Sequence, residues 1–311
     1  MITEKQKQFI SVVLYIRNNE EKLKSFLPVI CGIMENNFEC YEIICVVDDS
    51  RDKSVEFIRS FMAGRDRQQI VSIVEMSSHQ GLEMSMNAGV DLAIGDLLFE
   101  FDNIDGEYSE NLIMDAYRKA TDGSDIVSVA PSKSGGIGSI AFYHLFNWGL
   151  SKNLNPISHE DFRIVSRRAL NRIKAVNQYI PYRKALYSQC GLPTARITYN
   201  TKGSHHSMEP LDKRVNLALE TLILFTTTIQ RFALFICLVF ALITIAVGVY
   251  LVYEFFGAQG TVEGWLTLMG FLTLGFFGVF LLFFIVFKYL SVVLNTIFIK
   301  QRYSVKSITK L

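Results

Sequence analysis

The chain has little of what would mark a disulfide scaffold, a zinc module or a nucleic-acid binder. Its 311 residues carry five cysteines, Cys31, Cys40, Cys45, Cys190 and Cys237, and no two form a CxxC pair. They read as reduced, mostly buried small hydrophobes. Neither sign of charge dominates: 31 Lys and Arg against 30 Asp and Glu leave a net charge of +1. That removes any global electrostatic case for nucleic acid. No secretory leader is expected either. The N-terminal "MITEKQKQFISVVLYIRNNEEKL" has charges on both sides of a short apolar run, with no h-region and no cleavage site. The first 210 or so residues are therefore expected in the cytoplasm.

Charge is missing in a second way, over two long stretches. Phe232 to Tyr253 has no charged side chain over 22 residues, and Gly264 to Phe287 has none over 24. At about 1.5 Å per residue, each can cross about 30 Å of hydrocarbon. Two buried core helices are the bland alternative, but such helices rarely run so long without a charge. Lys213, Arg214 and Arg231 precede the first stretch, and Lys288, Lys300, Arg302, Lys306 and Lys310 follow the second. The connecting Glu254 to Glu263 has two acids and no Lys or Arg. The positive-inside rule then predicts a multi-pass protein of the inner (plasma) membrane, with both termini cytoplasmic. The expected organisation is an α/β domain over 1–210 and an amphipathic juxtamembrane helix over 211–231. A transmembrane hairpin over 232–290 (spans 232–253 and 264–287) and a basic cytoplasmic tail over 291–311 complete it. Gly270, Gly275 and Gly278 would permit close helix contacts, in keeping with a homo-oligomer.

The first 130 residues alternate between two periods. Apolar, β-rich runs occur at Phe9 to Ile16, Glu42 to Asp48, Ile70 to Met76, Asp96 to Asp102 and Asp125 to Ala130. Helical patterns separate them. Leu23, Phe26, Leu27, Ile30, Ile33 and Met34 share one face, and Val55, Ile58, Phe61 and Met62 another. Near-continuous apolar strands between helices predict a mainly parallel sheet covered on both faces. Right-handed crossovers put the strand C-ends on one edge, where ligands bind in open α/β sheets. That edge collects Arg17, Asn18, Asn19 and Glu20, then Asp48, Asp49 and Ser50, then Asp102, Asn103 and Asp105. Turn chemistry alone accounts for any one of these groups; three at equivalent edges point to a ligand site.

The stretch "FEFDNIDGEYS" raises the sharpest chemical question. Acids at a strand end can hold a metal, and a metal can hold a phosphate. The spacing here is Asp-x-x-Asp, Asp102 and Asp105, with Ile104 between. Positions i and i+3 of a strand do not face the same way, so Asp105 reaches a shared ion only if the chain turns.

Taken in order, these segments resemble the family 2 glycosyltransferases of the polyprenyl-phosphate (dolichyl-phosphate) sugar synthase type. "SVVLYIRNNEEKL" resembles the family's first strand and acidic loop, and "VVDDSRDKS" its Asp-Asp turn. "HQGLEMSMNAGVDLAIGD" is similar to its Gly-rich helix, with Gly81, Asn87 and Asp96 in place. "FEFDNID" sits where its metal motif sits, "EDFRIVSRRAL" resembles its acceptor segment, and "KGSHHS" its basic loop before the membrane. The resemblance covers nearly the whole chain. It implies a GT-A fold (Rossmann-like, mainly parallel) followed by an interfacial helix and two transmembrane helices. It implies an inverting transfer from a UDP- or GDP-hexose to polyprenyl phosphate at the cytoplasmic leaflet.

The same resemblance assigns roles. Asn18, Glu20, Asp48, Asp49, Gly81, Asn87 and Asp96 would bind the nucleotide sugar, with Asp48 or Asp49 accepting from the base. Asp102 and Asp105 would hold Mg2+ or Mn2+ against the leaving diphosphate. Asp161 and Arg163 would act at the acceptor, and Lys133, Arg163, Lys202 and Ser204 would grip the lipid phosphate. The chain departs from the pattern at Asn19, at Ile104 and after the fifth strand, where "APSKSGGIGS" offers only Lys133. Two other readings follow from those departures: a transferase acting on a lipid-diphosphate-linked glycan, and a non-catalytic partner subunit.

Overall fold

The computed structural model describes residues 5–65, 70–104, 108–132, 160–176, 182–200 and 303–311, with isolated positions elsewhere. All five apolar runs form strands: β1 (Ile10–Ile16), β2 (Tyr41–Val47), β3 (Ile70–Met76), β4 (Leu97–Phe101) and β5 (Ile126–Pro131). Helices α1 (Glu20–Asn37), α2 (Ser54–Ala63), α3 (Leu82–Leu92) and α4 (Glu110–Thr121) lie between them. Then come β6 (Phe162–Ser166), α5 (Arg167–Val176), α6 (Arg183–Gln189), β7 (Thr194–Tyr199) and β8 (Val305–Lys310).

The strands form one eight-stranded sheet in the order β7-β5-β6-β4-β1-β2-β3-β8. β4-β1-β2-β3 pair in parallel, and β6 runs antiparallel between β4 and β5. β1 and β4 are buried along almost their whole length, as strands covered on both faces must be. Every apolar residue expected on the inner face of α1 is buried. On α2, Ile58 and Met62 are buried while Val55 and Phe61 pack partly exposed against the core.

Close approach of backbone explains two glycines. A Cβ on Gly89 of α3 would meet the side chains of Val13 and Val46, the latter at 2.6 Å, so α3 lies directly on β1 and β2. A Cβ on Gly95 would fall 2.6 Å from the Ser11 nitrogen and 2.8 Å from the Phe9 carbonyl oxygen. Cys31 and Cys45 are buried, and burial pushes the Cys31 thiol up to about 11. Cys40 is exposed.

Contacts divide the chain into two compact units. One comprises Met1–His144, Ser151–Leu217 and Gln301–Leu311; the other comprises Leu145–Leu150 and Ala218–Lys300. The C-terminal residues correct the reading of 291–311 as a tail apart from the first domain, because β8 extends that domain's sheet antiparallel to β3. Alternation explains the miss: Val305, Ser307 and Thr309 face inward by halves and Lys306, Ile308 and Lys310 outward, an edge-strand pattern with few apolar residues. The segment 211–231, most of 232–253 and part of 264–287 lie outside the described residues. Among the described residues, no helix is long and apolar enough to cross a membrane. Described positions in the second unit are helical, and Leu268, Leu272, Phe276, Val279, Phe283, Val286, Leu290 and Val293 are exposed at spacings of three and four.

Candidate active site

Two clusters occupy the edge where the parallel strands end. The first joins the loops after β1 and β2. Asn18 and Asp49 follow these strands, and both hold left-handed backbone with φ of 49°. Asn and Asp tolerate that conformation better than most side chains. Asn18 donates its N–H to Ser50 Oγ (3.1 Å), and its Oδ1 accepts from Arg51 N–H (2.8 Å). Glu20 N–H donates to Asp52 Oδ2 at 2.8 Å. The two loops therefore brace each other.

Asp48 and Asp49 separate sharply. Asp48 is fully buried and accepts from Tyr15 Oη (2.9 Å), Gln80 N–H (2.8 Å) and Gly81 N–H (2.9 Å), with His79 Nδ1 at 2.8 Å. It clasps the β2 end to the start of α3. Gly81, with φ of 86°, makes the turn that aims its N–H inward, a conformation suited to glycine. Asp49 is exposed and lines a cleft of about 170 Å³ with Ser50, Val55, Glu75, Met76, Ser77 and Lys306. Of the two candidates for contact with a base, Asp49 has the accessible carboxylate.

The second cluster lies at the end of β4. Glu100 and Asp102 project from one face, and β6 pairs Arg163 directly with Glu100. Arg163 donates Nη1 to Glu100 (3.1 Å) and Nε to Glu160 (3.1 Å), and its Nη2 bonds Asp102. Arg183 of α6 donates Nε to Glu83 (3.0 Å), Nη1 to Glu100 (2.6 Å) and Nη2 to Asp102 (2.6 Å). Tyr187 Oη closes on Glu100 at 2.5 Å. Arg163, Arg183 and Glu100 are at most 1% exposed. Burial alone would raise the Asp102 carboxyl, but Arg163 and Arg183 outweigh it and hold it well below the usual carboxylate range.

This network revises several expectations. Arg163 is sealed inside, not presented to a lipid phosphate, because its neighbours on β4 are acids that would otherwise be buried unpaired. Asp102 has an oxygen on each guanidinium, and Ile104, at the motif's second position, is buried in the core. Among the described residues no group of three His, Cys, Asp or Glu is placed to hold a metal ion. The described residues around Asp102 thus do not fit a divalent cation; Asp105 lies outside them.

Asp161 precedes β6, is buried, and accepts from Tyr199 Oη at 2.6 Å. Burial and this carboxylate push the Tyr199 hydroxyl far up, so it stays a donor. Asp96 corrects a further expectation. It precedes β4, on the sheet edge opposite the cleft, and its Oδ2 accepts from Phe9 N–H at 3.1 Å. Asn87 is buried in the middle of α3, beside a small void lined by Arg183 and Tyr187. Lys133, Lys202 and Ser204 lie outside the described residues.

Sequence reasoning overlooked Glu83, Glu100, Arg183, Tyr187 and Lys306. Glu100 carried a readable signal, a charge inside the apolar "LLFEF". Arg183 comes from a stretch with weak periodicity and carried none.

A model of glycosyl transferase family 2 matches residues 11–179. An uncharacterized glycosyltransferase of Bacillus subtilis is 25% identical, over 70% of this chain and 68% of its own length. A prophage bactoprenol glucosyl transferase homolog of Escherichia coli is 27% identical, over 84% of this chain and 86% of its own. Among solved structures, a Pyrobaculum calidifontis mannosyltransferase in complex with GDP-Man and Mn2+ superposes with a TM-score of 0.50. That likeness covers 95% of this chain and 89% of the other at 12% identity, so it speaks for the fold alone. With a strand-end cleft on a doubly covered sheet and a family match over more than half its length, the chain belongs to glycosyl transferase family 2 and is a glycosyltransferase of GT-A fold.

Proposed function

We propose that the chain moves a hexose from a UDP- or GDP-sugar to polyprenyl phosphate at the cytoplasmic leaflet, with inversion. The observation that carries this reading is the likeness to bactoprenol glucosyl transferases over 84% of the chain, more than the first unit alone provides. Two structural features support the membrane part. The exposed apolar stripe from Leu268 to Val293 suits a lipid-facing helix. β8 lies in the same sheet as β1–β7, so any excursion of 218–300 into a bilayer must cross an even number of times. An even count agrees with a two-span hairpin and with both termini on the cytoplasmic side. Homo-oligomerisation through that hairpin belongs to the same reading.

In this mechanism the nucleotide lies in the Asp49 cleft, its sugar directed toward the end of β4. A phosphate oxygen of the lipid forms a bond to C1 as the bond from C1 to the nucleoside diphosphate breaks, and the diphosphate leaves with the electron pair. The acceptor is already ionised, so it needs placement more than deprotonation. Asp161, fixed by Tyr199, orients the acceptor side, while Lys133, Lys202 and Ser204 are its proposed phosphate contacts. A divalent ion, Mg2+ or Mn2+ by family resemblance, would supply charge neutralisation of the leaving diphosphate. To use Asp102 it would have to displace Arg163 or Arg183.

The test uses the full chain in detergent with polyprenyl phosphate and labelled UDP- and GDP-sugars, each with Mg2+, Mn2+ or EDTA. Labelled lipid from one donor is the expected result. Label that appears only when a lipid-linked glycan is supplied would move the acceptor assignment. No label with any donor and either acceptor would overturn the reading.

A further inference from the structure

The C-terminal strand does more than cover a sheet edge. Its start is bolted to the loop that Asp48 clasps. Gln80 donates Nε2 to the Ser304 carbonyl at 2.6 Å, and its Oε1 accepts from Ser304 N–H at 2.9 Å. Ser77 N–H donates to the same carbonyl at 3.0 Å, and Tyr303 Oη reaches Asp91 Oδ2 at 2.9 Å. Gln80 N–H is itself held by Asp48, the neighbour of Asp49. A short chain of hydrogen bonds therefore fixes where β8 sits relative to Asp49. Lys306, two residues past Ser304, lines the same cleft as Asp49 and Ser50. Its ammonium lies 3.9 Å from Glu75 Oε2 and is 69% exposed, a loose contact that a ligand group can replace.

We propose that Lys306 completes the donor-nucleotide pocket and, with Asp49, sets the choice of base. The proposal rests on the donor reading given above and adds to it a residue from the far end of the chain. A carboxylate accepts from a ring N–H, and an ammonium donates to a carbonyl oxygen. With the base held at a fixed ring position, a ring N–H beside a C=O satisfies both, whereas an exocyclic amino group beside a ring nitrogen does so only if the base shifts in the cleft. Uracil and guanine show the ring N–H beside a C=O; cytosine and adenine, whose corresponding ring nitrogens are acceptors, leave the carboxylate at that position facing a lone pair. The pair therefore selects UDP or GDP against CDP and ADP. Since Lys306 follows the apolar segment in the chain, base selection depends on the C-terminal strand being docked on β3.

Nucleotide affinity of the full chain in detergent tests this, measured by calorimetry with UDP, GDP, CDP and ADP. The wild type should bind UDP or GDP about tenfold or more tighter than CDP and ADP, the scale of one charged hydrogen bond. Lys306→Gln should weaken the preferred nucleotide about tenfold and flatten the preference. Lys310→Gln, at the other end of β8, should change neither. If Lys306→Gln binds all four as the wild type does while Asp49→Asn has lost the preferred one, Lys306 has no part in the pocket, though the donor cleft stands. If the wild type binds none of the four, both the proposal and the donor reading of this cleft fall.

Discussion

Replacing Arg183 with methionine tests the buried network most severely. Four acids, Glu83, Glu100, Asp102 and Glu160, face Arg163, Arg183 and the nearby Lys184. Arg183→Met keeps most of the volume and removes one positive charge that bonds three of the acids. Glu83 keeps the backbone N–H of residue 183 at 3.0 Å, and Glu100 keeps Arg163 and Tyr187. Asp102 keeps only Arg163 of its two guanidiniums. Two like charges about 4 Å apart repel by about 4 kcal/mol at an effective dielectric of about 20. Breaking a buried pair by removing one partner costs about 3–5 kcal/mol. For a domain of this size that lowers the melting temperature by roughly 10 °C. The pH dependence carries the sign. In the wild type, Asp102 has a depressed pKa, so its contribution is present above the ordinary carboxylate range and lost as pH falls through its folded value. In the variant the acids repel, and protonation relieves them. The gap in melting temperature should be widest near pH 7.5 and narrow toward pH 5. Circular dichroism melts of both proteins in detergent measure it. A variant within 2 °C of wild type at pH 7.5, a threshold on the order of 1 kcal/mol, or a gap that does not narrow with acid, would refute the reasoning.

Asp102→Asn should be milder, about 1–3 kcal/mol, because Arg183 keeps Glu83 and Glu100 and Arg163 keeps Glu100 and Glu160. Millimolar Mn2+ should leave the wild-type melt unchanged; a rise that vanishes in Asp102→Asn would show that an ion displaces an arginine. Asp48→Ala removes the acceptor of Tyr15, Gln80 and Gly81 at once, and a loss of about 3 kcal/mol is expected in a denaturant or thermal series. Gly95→Ala drives a Cβ into strand backbone that has no rotamer to change, so a loss of at least about 1–3 kcal/mol and a lowered yield of folded protein are expected.

How legible was this in the sequence? The five apolar runs became β1 to β5 because fully buried strands and amphipathic helices differ in period, and period is written along the chain. Asn18, Asp48, Asp49 and Asp102 were placed at one edge by the same logic, since parallel strands joined by helices end together. The order of motifs along the chain points to the family. What the sequence could not supply was the use each polar group makes of its neighbours. Asp48 and Asp49 are adjacent and identical in type, yet one is buried under three donors while the other opens to a cleft. Asp102 looks like a metal ligand until Arg183 arrives from 81 residues away. Asp96 looks like a site residue until the strand direction puts it on the opposite edge. Lys306 looks like part of a basic tail until β8 pairs with β3. Local pattern fixes periodicity and strand direction because both depend on near neighbours along the chain. Partners across the sheet come from residues far apart in sequence, and only the tertiary fold decides which charge meets which.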